Sequence, residues 1–307
     1  MPWRRWRSAN ATSSPPPRRH RTPRPASPCT PDRERHRRPS GRRNTHPGGE
    51  NQMTTHTTTA RWDEPAGPHA RGTVVLAVGR GENPVVYQRL GERLSADAYR
   101  VRVAGDATAD PDEVTTQVKA LLADESDPAP RVLAGSDTGA LLALRLTAQR
   151  AVAPDALILA GLPGAGREPR FESWEDELRE RTSCPTHRQR LTDTGSGSLA
   201  VDLPPQWHEE VDPAGITVPV LGLHGADDEI SPRAAVRGVY ARMPASRLTS
   251  VAGGKHDVLN DLTHRSVAAT IVLFLESLRQ NREIVRDADL GVERGIVRAS
   301  SPAATTG

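Results

Sequence analysis

Gly135, Ser136, Asp137, Thr138 and Gly139 constrain this chain more tightly than any other five consecutive residues. They follow a short apolar run from Arg131 to Ala134 and precede a helix-like stretch with Leu141, Leu142 and Leu144. A strand, a tight turn and a helix with Gly on both flanks form a nucleophile elbow, which holds its central residue strained and exposed at the end of a sheet. The flanking glycines are needed because backbone packs on backbone there and leaves no room for a β-carbon. The central residue is Asp137 rather than Ser, so the elbow offers a carboxylate.

The rest of the chain supplies a sheet for that elbow. Thr73–Val78, Tyr99–Ala104, Asp155–Ala160, Val218–Leu223 and Ser246–Val251 read as strands. Val86, Leu90 and Leu94, spaced by four, mark one helix face; Val114, Val118, Leu121 and Leu122 mark another. Asp110 and Pro111 read as the cap and first residue of the second helix. Further helices are expected from Asp137 to about Arg150, Pro232 to Met243 and Val267 to Leu278. Short apolar strands alternating with helices predict an α/β fold, a mostly parallel sheet with helices on both faces. The polar segment 167–213, with Trp174, Trp207 and a Gly-Ser stretch, interrupts the rhythm. It is expected to be a short, partly helical cap insertion over the carboxyl edge of the sheet, where ligands bind in open α/β sheets.

Charge divides the chain. Residues 1–52 hold thirteen Arg, no Lys and three acids, a local net charge of +10, so the remainder carries −7 of the overall +3. This stretch has ten Pro and no Val, Leu, Ile, Phe or Tyr. It has too little apolar surface to offset the entropy of ordering, and residues 1–70 are expected to be a disordered Arg/Pro-rich tail. Met53 is expected to be the natural start, with no nucleic-acid role for the text before it. A folded domain is expected over 71–282, with a flexible tail at 283–307. No apolar run reaches the length of about 18 residues needed to span a bilayer. Cys29 lies in the tail and Cys184 stands alone, which supplies neither a disulfide framework nor a metal cluster. A cytoplasmic protein without metal or cofactor is expected.

Three loops that follow strands carry reactive residue types: Asp137 in the first, His224 to Pro232 in the second, Gly253 to Asp257 in the third. Nucleophile, acid, His is the chain order of the α/β-hydrolases. Gly81, Glu82, Tyr87, Leu90, Arg93 and Leu94 are similar to the first loop and helix of that superfamily's monoacylglycerol lipase, lysophospholipase and serine aminopeptidase branch. Gly225, Asp228 and Pro232 match its acid loop, and Gly254, His256, Asp257, Asn260 and Asp261 match its His loop. The chain resembles that branch over roughly residues 71–280. The resemblance implies Asp228 as triad acid, with neighbouring Asp227 as rival, and His256 as base. The backbone N–H groups of Arg80 and Thr138 would form the oxyanion hole. The pattern departs from the family at Val78, where a His usually precedes Gly79, and at Asp137.

A carboxylate nucleophile changes the chemistry. Attack on a carbonyl gives a reactive mixed anhydride; attack at saturated carbon gives a stable alkyl ester, which water activated by His256 can cleave. Two enzymatic expectations therefore stand. One is a lysophospholipase- or esterase-like hydrolase acting on a small-molecule or lipid-like substrate through Asp137, His256 and Asp228. The other is dehalogenase- or epoxide-hydrolase-type hydrolysis. The Asp-elbow dehalogenases usually carry Trp or Arg after the nucleophile, where this chain has Thr138. Epoxide hydrolases use cap tyrosines, and Tyr87, Tyr99 and Tyr240 all lie outside the cap. Trp174 and Trp207 are the substrate-binding candidates there, with His187 beside them. A non-catalytic ligand-binding protein of the same fold is the competing class. Ser136 is an off-register alternative nucleophile, His224 is read as bonding locally, and the Cys184–His187 segment as a cap turn. Arg80 is read as a solvated loop side chain, with an anionic substrate group as its alternative partner.

Overall fold

In the computed structural model the described residues are 59–164, 169–200, 202–204, 207 and 211–285. The expectations for residues 1–52, for Met53 and for most of 283–307 fall outside them, as do 165–168, 201, 205–206 and 208–210 of the expected cap. Among the described residues, seven strands form one sheet. They are β1 (Ala60–Trp62), β2 (Thr73–Ala77), β3 (Arg100–Ala104), β4 (Arg131–Ser136), β5 (Ala156–Ala160), β6 (Val220–Gly225) and β7 (Ser246–Val251). Their order is β1-β3-β2-β4-β5-β6-β7. β1 runs antiparallel to β3, and every other pair is parallel. The central strands are continuously apolar because both faces are covered. Val74 and Leu76 point into one core with Val132, Ala134 and Ile158. Val75 and Ala77 point into the other with Leu133, Leu157 and Leu159.

Helices α1 (Gln88–Ala96) and α7 (His264–Gln280) cover the first face through Leu90, Leu94, Val267, Ile271 and Leu275. Helices α2 (Pro111–Ala123), α3 (Thr138–Ala148) and α6 (Arg233–Arg242) cover the second through Val114, Val118, Leu142, Val236 and Tyr240. The start of α2 is the one expected: Asp110 accepts a hydrogen bond from the Glu113 N–H at 3.0 Å. Between β5 and β6 the described residues of the insertion include two short α-helices, α4 (Trp174–Arg181) and α5 (Pro185–Asp193), and a 3-10 turn at Pro213–Gly215. No helix among the described residues is long and apolar enough to cross a membrane.

The tail boundary at residue 70 needs correction, because β1 lies inside it. Three residues are too few for a periodicity to show, and long-range partners hold this strand. Arg100 pairs with Glu64 at 2.7 Å and Arg102 with Asp63 at 2.7 Å. The Trp62 ring fills the space where Gly91 has no side chain; a β-carbon there would lie 2.3 Å from the ring.

Candidate active site

The elbow is built where β4 turns into α3. Asp137 has φ 45° and ψ −118°, a conformation rare for a residue with a side chain. Such a residue costs about 1–3 kcal/mol and persists only where its surroundings over-determine it. Two glycines do so here. A β-carbon on Gly135 would lie 2.2 Å from the Gly139 backbone, and one on Gly139 would lie 2.1 Å from the Ala77 carbonyl oxygen. The Asp137 N–H donates to the Ala160 carbonyl at 3.0 Å, tying the turn to β5. Ser136 is the buried last residue of β4 and bonds the Tyr87 phenol, away from the apex.

The Asp137 side chain is fully engaged. Its Oδ2 accepts from the Arg80 backbone N–H at 3.1 Å, and the neighbouring Thr138 backbone N–H helps to favour the charged carboxylate. The Arg80 guanidinium spans both oxygens, with Nε 3.4 Å from Oδ2 and Nη2 3.4 Å from Oδ1. His256 Nε2 lies 3.3 Å from Oδ1, and His256 Nδ1 lies 2.9 Å from Asp228 Oδ2. Asp228 Oδ1 accepts from the Ser231 N–H at 2.8 Å. His224 Nε2 approaches Asp228 Oδ2 at 3.2 Å and also faces the Ser231 carbonyl. Its Nδ1 is buried without a partner among the described residues, which places the proton on Nε2. Local bonding of His224 therefore reaches the acid itself.

The structure brings Asp137, His256, Asp228, Arg80 and Thr138 together, and all five are buried. Asp227 is exposed. Arg80 is 5 % exposed rather than solvated. The loop that carries it is covered by the cap, whose Leu199 carbonyl accepts from Arg80 Nη1 at 2.8 Å.

Charge decides the protonation states. Burial alone would push the His256 imidazolium down, but the Asp228 charge and hydrogen bonds to both carboxylates hold it well above 6.5. Burial would likewise raise both carboxylates, yet Arg80 and His256 hold Asp137 below the ordinary range, and His256 with His224 does so for Asp228. A raised His contributes stability that is fully present below 6.5 and is lost as pH rises through its folded value. Lowered carboxylates contribute stability that is present above 3.8 and is lost as pH falls through their folded values. The expected result is a stability plateau across neutral pH and a His256 ring resonance that does not titrate between about pH 6 and 7.5. A His256 titration centred near 6.5 would contradict this charge arrangement.

A second buried cluster lies beside the first. Arg181, fully buried at the end of α4, donates to Glu82 and, at 2.9 Å, to Asp257 Oδ2; it also pairs with Glu177 at 3.5 Å. The Asp257 N–H donates to the Arg181 carbonyl at 2.9 Å. Glu82 further accepts from Tyr87 and from the Gly79 N–H, and His187 Nε2 lies 3.0 Å from Asp257. Arg181 thus joins the cap to the residue two beyond Arg80 and to the residue after His256. Glu82, His187 and Asp257 bring potential ligand atoms within 4.8 Å of one another. Their space already holds a cation, because Arg181 bonds both carboxylates. Sequence reasoning missed Arg181: with Glu177 four residues before it, it reads as a surface helix pair.

The cap tryptophans are not brought together. Trp174 packs against the first core and donates from Nε1 to Thr192 at 3.2 Å, whereas Trp207 packs in the second core. Cys184 caps α5, with Arg89 Nη1 3.5 Å from its sulfur, while His187 turns to Asp257. A surface groove of about 620 Å³ beside α5, lined by Val85, Gln88 and Arg190 among others, includes none of the site residues.

No family model matches the sequence, and no curated protein matches it. Solved structures do. The monoacylglycerol lipase of Paleococcus ferrophilus superposes with a TM-score of 0.59 at 18% identity, covering 72% of this chain and 99% of that one. The enol-lactonase of Burkholderia xenovorans gives 0.54 at 18% identity over 71% and 96%. A thermophilic esterase of Thermogutta terrifontis gives 0.53 at 18% identity over 72% and 93%. At such identities the likeness concerns architecture. The chain has the α/β-hydrolase fold, with Asp137 at its elbow.

Proposed function

We propose that the protein is a hydrolase that opens a bond at saturated carbon through an alkyl ester on Asp137. One observation carries this reading: Asp137 Oδ2 accepts the Arg80 N–H that an oxyanion would otherwise use. With its own oxygen held there, Asp137 leaves no room for a substrate carbonyl. It does not need to. When Oδ1 attacks carbon and the leaving group departs with its electron pair, Oδ2 becomes the carbonyl oxygen of the new ester, already against the Arg80 N–H.

Alkylation also prepares the second step. It neutralises Asp137 and removes one of the two charges that hold His256 up, so His256 can give its proton to the departing group or to water and then serve as base. His256, oriented by Asp228, takes a proton from water. The hydroxide adds to the ester carbonyl, and the oxyanion develops on Oδ2, where the two N–H groups stabilise it. Collapse expels the alcohol, which His256 protonates. The product alcohol then carries an Asp137 oxygen, and the carboxylate carries one from water. A single turnover in ¹⁸O-water is expected to label the Asp137 peptide and leave the first alcohol unlabelled. Label in that alcohol and none in Asp137 would contradict the reading.

Two other readings have narrower support. A lysophospholipase- or esterase-like activity rests on the fold shared with a lipase and an esterase, and needs Oδ2 to vacate the N–H groups. A non-catalytic binding protein fits the closed ion pairs around Asp137. Inertness of the wild type to haloalkanes, epoxides and esters alike would favour it.

A further inference from the structure

Asp228 has a third donor besides His256 and the Ser231 N–H. His224 is the fully buried last-but-one residue of β6. Its Nε2 faces two acceptors, Asp228 Oδ2 at 3.2 Å and the Ser231 carbonyl, and its Nδ1 has no partner among the described residues. A ring nitrogen between two acceptors carries the proton, so His224 donates from Nε2. The oxygen it meets is the one that accepts from His256 Nδ1 at 2.9 Å, while Asp228 Oδ1 takes the Ser231 N–H at 2.8 Å. Three donors on two oxygens leave the carboxylate one orientation. The frame around them is fixed as well. Ser231 Oγ donates to the Leu162 carbonyl at 2.7 Å and accepts from the Gly164 N–H at 2.8 Å. The acid loop packs directly on the His256 loop: the Asp227 N–H donates to the Gly254 carbonyl at 2.9 Å, and a β-carbon on Gly225 would lie 2.3 Å from the same oxygen.

Ester formation gives this donor its weight. In the resting site His256 faces two carboxylates, Asp137 and Asp228. Arg80 lies against the first, and Asp257, the residue after His256, is held by Arg181 and His187 from the cap. Once Asp137 is alkylated, Asp228 is the anion still bonded to His256. A buried carboxylate with no other donor on that oxygen would hold the imidazolium firmly, whereas a base works best with a proton affinity near the operating pH. The His224 N–H opposes that hold in two ways. It draws charge toward itself on the oxygen that His256 uses. It also sets the positive end of its own dipole beside the His256 N–H. Both ease the removal of the proton from His256.

We infer that His224 is a positioning residue for the second step: by sharing Asp228 Oδ2 it fixes the acid and weakens its hold on the His256 proton, which frees His256 to act as base at neutral pH. This rests on His256 hydrolysing an ester on Asp137. Asp137→Asn, uncharged like that ester, allows the His256 proton to be followed without turnover. In ¹⁵N-histidine NMR spectra of Asp137→Asn, adding His224→Phe should raise the proton affinity of His256 about tenfold, one unit on the pH axis. Adding His224→Gln instead, whose amide nitrogen donates from near the same place, should restore most of the difference. An unchanged His256 titration in a folded Asp137→Asn/His224→Phe protein overturns the inference. So does a wild-type spectrum at pH 7.5 with the His224 proton on Nδ1, a result that needs no variant to fold. With Asp137 present, hydrolysis of the ester at pH 7 should be about tenfold slower in His224→Phe than in the wild type, approach the wild-type rate as pH rises, and be near normal in His224→Gln. A shifted titration with no ester on Asp137 from any compound turned over leaves His224 acting on His256 and overturns the nucleophile.

Discussion

Asp137→Ser is expected to exchange one reaction for another. Turnover at saturated carbon should fall by about 10⁴-fold or more, as when a nucleophile is removed from a site that acts as a unit. Cleavage of p-nitrophenyl esters should rise at the same time. The reason is the position of Oδ2, 3.1 Å from the Arg80 N–H. A seryl side chain has one oxygen where aspartate has two, so the substitution empties the place that a substrate carbonyl requires. Two such donors each change rates by about 10²–10³, and His256 remains to take the seryl proton. Asp137→Ala empties the same place without offering a nucleophile and should lose both activities. If Asp137→Ser gains no esterase activity over Asp137→Ala in a variant of unchanged melting temperature, the two N–H groups do not form an oxyanion hole.

Arg181→Met is expected to give the largest loss of stability among the substitutions considered. The side chain is fully buried and holds Glu82, Asp257 and Glu177. Removing it leaves buried carboxylates without their counter-ion, which costs about 3–5 kcal/mol. For a domain of this size that lowers the melting temperature by roughly 6–20 °C. Arg179→Met is the control: Arg179 is half exposed and pairs with Glu175 along the same helix, so no measurable change is expected. Equal melting temperatures for the two variants would show that the buried cluster does not tie the cap to the loops of Arg80 and His256.

The contrast between these two residues shows where the sequence is legible. The elbow could be read because its constraint is local: Gly135 and Gly139 are required by backbone contacts within one turn and its neighbouring strand. β2, β4, β5 and β6 could be read because burial on both faces leaves a continuous apolar run. The pairing of His256 with Asp228 rather than Asp227 followed a motif, and the geometry agrees. β1 was hidden because three residues carry no period, and its hold on Arg100, Arg102 and Gly91 comes from distant parts of the chain. Arg181 was hidden for the same reason, since its partners Glu82 and Asp257 lie 99 and 76 residues away. Which oxygen of Asp137 meets the Arg80 N–H depends on side-chain rotation, which no residue pattern encodes.

His256→Gln tests the central claim most directly. The variant keeps Asp137 and both N–H groups but has no base for the second step, so the alkyl ester should accumulate. After incubation with a compound that the wild type turns over, the intact mass should rise by the substrate fragment without its leaving group. Peptide mapping should place that mass on Asp137. Unmodified Asp137 in the presence of such a compound would contradict a covalent role for the elbow carboxylate.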